Sequence, residues 1–267
     1  MPYADVNGIR LYYETAGSGP PLLYISGTGS DLRNTPRPFD APGAGDFTMT
    51  AYDQRCMGRS TRPDDIPAMT DFADDAAALF DHLGWDRVPV IGISFGGMVA
   101  QQLAVHHPDR VSRLVLGCTS SGGAGGSSYP LHELSDTSPE DYARTTMRLA
   151  DNRRDDAWQA QNPARAAEVL DMYLTRARRN REDPTHRDAM NRQLAARRHH
   201  DVYDRLGGLD MPVLVCAGRY DDIAPPARSE AIAAAIPGAR LRVFDGGHLF
   251  FMDDADAWPA IYDFLRG

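Results

Sequence analysis

Short apolar runs rich in β-branched residues alternate along most of the chain with longer stretches whose apolar positions recur every three or four residues. Residues 22–25, 47–52, 87–91, 111–118 and 213–217 are runs of the first kind and predict strands, and residues 240–244 predict another. Phe72, Ala76, Leu79, Phe80 and Leu83 share one face of a predicted helix over about 70–83. A second helix is predicted from Gly97 to His107, closed by Pro108, and others near 227–235 and up to Phe264-Leu265. Val6-Asn7-Gly8-Ile9 predicts an opening hairpin. Strand and helix in turn imply a mostly parallel sheet covered on both faces.

The alternation stops at Ser120. The run Ser121-Gly122-Gly123-Ala124-Gly125-Gly126-Ser127-Ser128 has the composition of a flexible hinge. From Ser138 to about Arg198 the patterns are helical, with no strand. Ser138-Pro139, Asn162-Pro163 and Asp183-Pro184 each predict an N-cap followed by proline at the first helical position. Ala166, Val169, Leu170, Tyr173, Leu174 and Ala177 mark one buried face. The chain therefore divides into a core of residues 1–120 and 206–267 and a helical insertion of residues 121–205.

A sequence of 267 residues is long enough to bury a sizeable core, and 42% hydrophobic with 24% charged residues is ordinary for a globule. The formal net charge of -9 argues against nucleic acid or an anionic membrane as partner. Residues 88–105 are uncharged, but they break into strand, turn and helix rather than a membrane span. Cys56, Cys118 and Cys216 are odd in number and lack metal-type spacing, which points to free thiols and a reducing, cytoplasmic location. His199-His200 has no flanking ligand pattern for a metal. The arginines of residues 140–205 are expected to pair with the acids there, since 14 face 12.

The strand at 87–91 runs straight into Gly92-Ile93-Ser94-Phe95-Gly96 and then a helix. Small residues two before and two after Ser94 permit a tight strand-to-helix turn that holds the hydroxyl in a strained, exposed position. A serine hydroxyl needs a base, and the base needs an orienting acid. His248, in Asp245-Gly246-Gly247-His248, follows the last strand and so lies at the carboxyl edge of the sheet where Ser94 emerges. Asp221 and Asp222 follow the strand at 213–217. The chain order Ser, Asp, His is the one expected of a nucleophile-elbow hydrolase.

On these residues the chain resembles the α/β-hydrolase fold family over its whole length except the helical insertion, which matches the position of that family's cap. The resemblance implies an α/β fold with about eight mostly parallel strands, helices on both faces and a helical lid. Gly218-x-x-Asp221-x-x-x-Pro225 resembles the family's acid loop and favours Asp221 over Asp222. Ser26-Gly27-Thr28-Gly29 lies where the family carries a His-Gly pair, which implies an oxyanion hole from the backbone N–H groups of Thr28 and Phe95. Asp53-Gln54-Arg55-Cys56 departs from the family's Asp-Gln-Arg-Gly. If that position needs a positive φ, cysteine is costly there. The likeness is to the small capped enol-lactonases, esterases and perhydrolases.

The expected activity is hydrolysis of a small-molecule ester or lactone through an acyl-enzyme on Ser94, with His248 as base and Asp221 as orienting acid. Gly27, Met98, Trp158 and Leu249 are candidate substrate contacts, and Trp158, Tyr173 and Met190 suit either a pocket lining or core packing equally well. No metal or organic cofactor is required by this chemistry. The partner expected is a small-molecule substrate, and the sequence specifies no oligomeric state. The same triad also serves carbon–carbon bond hydrolysis and ring-forming or acyl-transfer chemistry. A non-catalytic receptor on this fold would have no need of all three residues.

Overall fold

Asn7 and Gly8 both adopt positive φ, 45° and 72°, and turn the chain between β1 (Tyr3–Val6) and β2 (Ile9–Ala16) as the Asn-Gly pair predicts. The computed structural model describes residues 2–134 and 136–267. Six further strands follow: β3 (Pro21–Ile25), β4 (Thr48–Tyr52), β5 (Val88–Ile93), β6 (Val111–Gly117), β7 (Val213–Gly218) and β8 (Arg240–Phe244). One sheet results, in the order β1-β2-β4-β3-β5-β6-β7-β8. β1 and β2 run antiparallel to their neighbours and every other pairing is parallel.

Successive residues of β5 serve opposite faces of the sheet. Val88 and Val90 enter an apolar core with α1 (Met69–Leu83) and α2 (Phe95–His106), represented by Phe72, Phe80 and Leu103. Ile91 and Ile93 enter a second core with Trp258, Ile261 and Tyr262. Burial on both sides explains why these strands read as continuous apolar runs.

Between β6 and β7 the chain forms α3 (Pro139–Ala150), α4 (Asp156–Gln161), α5 (Pro163–Glu182) and α6 (Pro184–Arg197), with no strand among the described residues. After β7 come α7 (Pro226–Ala235), α8 (Phe250–Asp253) and α9 (Ala257–Arg266). Ser138 and Asp183 cap their helices as expected, accepting from the Asp141 and His186 N–H groups, both at 3.0 Å. Asn162 does not. Its side-chain amide instead donates to the Trp158 carbonyl at the end of α4, a helix too short to leave a periodic signal. None of the described helices is long and apolar enough to cross a membrane.

The glycine run after Ser121 is a packed strip rather than an open linker. A Cβ on Gly122 would lie 1.9 Å from the His200 carbonyl oxygen, and one on Gly125 would lie 2.4 Å from the Tyr203 ring. Linker composition and close-packing composition are the same here, and burial distinguishes them. Cys56 does sit at positive φ, 70°, so the expected strain is present. The loop keeps its shape because Cys56 N–H bonds the Thr61 carbonyl while Asp53 accepts from the Arg59 N–H. All three cysteines are buried and unpaired.

Candidate active site

The turn from β5 into α2 brings two backbones almost into contact. A Cβ on Gly96 would lie 2.1 Å from the Ile25 carbonyl oxygen, and one on Gly92 would lie 2.4 Å from the Gly96 carbonyl oxygen. Ser94 between them takes φ 55° and ψ -116°, a conformation that costs on the order of 1–3 kcal/mol. Its backbone is tied on both sides. The N–H donates to the Gly117 carbonyl at 2.8 Å, and the carbonyl accepts from Thr119 Oγ1 at 2.8 Å. The side chain is left at the carboxyl edge of the sheet, at the N-terminus of α2.

His248 and Asp221 reach Ser94 from the ends of β8 and β7. His248 Nε2 lies 3.0 Å from Ser94 Oγ, and Nδ1 lies 2.7 Å from Asp221 Oδ2. Asp221 is 1% exposed, and its other oxygen accepts the N–H groups of Ile223 and Ala224 at 2.8 and 2.9 Å. A carboxylate held in this way presents one fixed oxygen to the imidazole. Asp222 is exposed and accepts instead from the Asn152 side chain at 3.1 Å, so of the two sequence candidates only Asp221 joins the group. The C-terminal end of α3 seats these loops, since the His248 N–H donates to the Ala150 carbonyl at 2.6 Å and the Asp222 N–H to Leu149 at 2.8 Å.

The Ser26–Gly29 segment lies against the serine. A Cβ on Gly27 would be 3.4 Å from Ser94 Cβ. The segment is held from the core by Gln54 Nε2, which donates to the Ser26 carbonyl at 2.8 Å, and by Asp53, which accepts the Leu32 N–H at 2.7 Å. Gly29 and Ser30 N–H groups are occupied, whereas the Thr28 N–H has no partner among the described residues. Phe95 opens α2, where the first amides of a helix lack intrahelical acceptors. The Thr28 N–H, next to Gly27, and the Phe95 N–H, next to Ser94, are the two donors that the sequence singled out.

Of the four candidate substrate contacts, Gly27 and Leu249 adjoin Ser94 and His248. Met98 lies in the apolar core along α2, and Trp158 is half-buried on α4. Seven of the 14 insertion arginines pair with acids among the described residues, including Arg148 with Asp156 and Arg178 with Glu140, while Arg179 reaches Asp31 of the core at 2.7 Å. Burial alone would raise the Asp31 pKa. Hydrogen bonds from Arg33 and the charges of Arg33 and Arg179 outweigh it and hold the carboxyl at about 2.

Two residues that hold the Ser26–Gly29 segment lay outside the sequence reading, as did Arg197 in the insertion. Arg176 Nη2 donates to the Thr28 carbonyl at 2.8 Å, and Gln193 Oε1 accepts the Gly29 N–H at 2.8 Å. Arg197 is buried, donates to Ser128 Oγ and the Tyr129 carbonyl, and is pushed down to about 10 by burial. A polar residue between Met190 and Leu194 on the buried face of α6 is the signal that could have marked Gln193.

A family model described as alpha/beta hydrolase fold matches residues 20–255. The chain belongs to that family. It is accordingly an enzyme of the hydrolase class. It is 30% identical over 257 residues to a poly(3-hydroxyalkanoate) depolymerase from Ectopseudomonas oleovorans, covering 92% of this chain and 84% of the relative. Among solved structures it is similar to the enol-lactonase from Burkholderia xenovorans LB400, with a TM-score of 0.78, 26% identity and full coverage of both chains. A hydrolase from Pseudomonas aeruginosa PA01 matches with the same TM-score and identity, over 99% of this chain and 98% of that one.

Proposed function

We propose that the protein hydrolyses a small-molecule ester or lactone through an acyl-enzyme formed on Ser94. The observation that carries this reading is the unbroken chain of contacts from Ser94 Oγ through His248 to Asp221, at 3.0 and 2.7 Å. In this scheme His248 Nε2 takes the hydroxyl proton as Ser94 Oγ attacks the acyl carbon, and Asp221 stabilises the imidazolium and fixes its tautomer. The oxyanion is held by the Thr28 and Phe95 N–H groups. His248 then delivers the proton to the departing alkoxide oxygen, and water, deprotonated by the same imidazole, releases the acid. In a lactone the alkoxide stays tethered to the acyl group, so the first half-reaction opens the ring.

Residues 121–205 act as the cap over this site, with residues 1–120 and 206–267 as the catalytic core. Two observations support that division: the insertion is helical, and α5 and α6 reach the Thr28–Gly29 peptide. Likeness to an enol-lactonase along the full length of both chains supports the lactone arm of the reading. The test is a turnover screen of activated esters and lactones that varies chain length and charge, combined with a fluorophosphonate probe. Turnover of at least one compound and probe attachment at Ser94 alone are expected. An unlabelled protein that turns over nothing in the panel would favour a binding protein and refute the proposal.

A further inference from the structure

Gly27 to Ser30 form a four-residue turn closed by the Ser30 N–H donating to the Gly27 carbonyl at 3.2 Å. Gly29 has φ 68° and Thr28 is not at positive φ, which identifies the turn form that requires glycine at its third position. Such turns have an alternative form in which the central peptide, here Thr28–Gly29, is rotated by roughly half a turn. Rotation would exchange the places of the Thr28 carbonyl and the Gly29 N–H.

Both polar ends of that one peptide are held, and both by the helical insertion. Arg176 of α5 takes the carbonyl and Gln193 of α6 takes the N–H, each at 2.8 Å. The core's own hydrogen bonds go elsewhere, to the Ser26 carbonyl and the Leu32 N–H. Gln193 is fully buried, and its Nε2 has no partner among the described residues, so the side chain spends its acceptor on the turn at the cost of an unpaired donor.

Resting on the reading of Thr28 as an oxyanion donor, we propose that Gln193 and Arg176 are positioning residues that lock the Thr28–Gly29 peptide. The oxyanion hole is then complete only while α5 and α6 lie on the turn. A rotated peptide would swing the Thr28 carbonyl oxygen, with its partial negative charge, to the side now presented by the Gly29 N–H. The turn begins at Gly27, which lies against Ser94, where negative charge develops during attack. Dipoles fixed before the reaction need no rearrangement during it, which is where their benefit lies.

The experiment measures fluorophosphonate labelling of Ser94 against probe concentration, which separates the maximal rate from the half-saturating concentration. Gln193→Met and Arg176→Met are each expected to slow the maximal rate by about tenfold, less than the roughly 10²–10³-fold loss when an oxyanion donor is removed. Half-saturation should barely move. Arg176→Lys, which keeps a donor, should restore most of the rate. Because both side chains act on one peptide, the double Met variant should be no slower than the slower single variant. Arg179→Met, which loses only the ties to Asp31 and Asn34, should label at the parent rate. Parent-like rates in both Met variants, or an equal loss in Arg179→Met, would overturn the lock while leaving Ser94 as nucleophile. Absence of labelling in the parent would remove the proposed function and this inference with it.

Discussion

The two sides of the site are held by different means. On the serine side, Ser94, Asp221 and His248 are fixed by backbone: strand ends, glycine contacts, and amides of residues 223, 224 and 248 paired with fixed acceptors. On the oxyanion side, the Thr28–Gly29 peptide is fixed by the tips of an arginine and a glutamine reaching from the insertion. Backbone packing leaves few alternatives, whereas long side chains must be ordered to bind and can let go. The proposed nucleophile is thus built into the sheet, whereas the turn proposed to carry an oxyanion donor is held from the insertion.

The largest test of this contrast is within the acid loop. Asp221→Asn should lower turnover by about 10⁴-fold, because the amide supports the wrong imidazole tautomer, while Asp222→Asn should leave turnover unchanged. Steady-state kinetics of the two variants decide it, and equal losses would mean that the loop as a whole, not one carboxylate, matters.

A smaller effect separates the two sides by stability. Gly96→Ala forces a Cβ to 2.1 Å from a backbone oxygen and should cost more than about 3 kcal/mol or prevent folding. Gly29→Ala meets only the far ends of two flexible side chains, Met190 at 3.4 Å and Arg176 at 3.8 Å, and should cost about 1–2 kcal/mol for its positive φ. Urea unfolding of both variants gives the comparison.

Where core and insertion meet, His200 adds a pH dependence. Burial lowers its pKa from 6.5 to about 4, so the unfolded chain takes up the proton first as pH falls. The stability it supports is fully present above pH 6.5 and is lost progressively down to about pH 4, by about 3 kcal/mol in all. His200→Asn should flatten the unfolding midpoint over that window. An unchanged slope would place the acid sensitivity elsewhere.

The serine side was legible in the sequence because its determinants are local. A β-branched run, two glycines and a helix lie within twenty residues, and histidine and acid each follow a recognisable strand. Between the two adjacent aspartates the acid-loop resemblance favoured Asp221, and the physical reason lies in the fold. Asp221 is chosen by a turn that aims two amides at it, while Asp222 points outward to Asn152. The oxyanion lock was illegible because its partners lie 148 and 164 residues from the peptide they hold. Helical periodicity placed α5, but nothing local says which arginine crosses to the core.

The most direct test of the account is the turnover of Ser94→Ala, measured on the best substrate from the ester and lactone screen with folding checked by circular dichroism. A loss of about 10⁶-fold is predicted, as for removal of a nucleophile that acts as one unit with its base. Near-parental turnover in a folded Ser94→Ala protein would contradict the account.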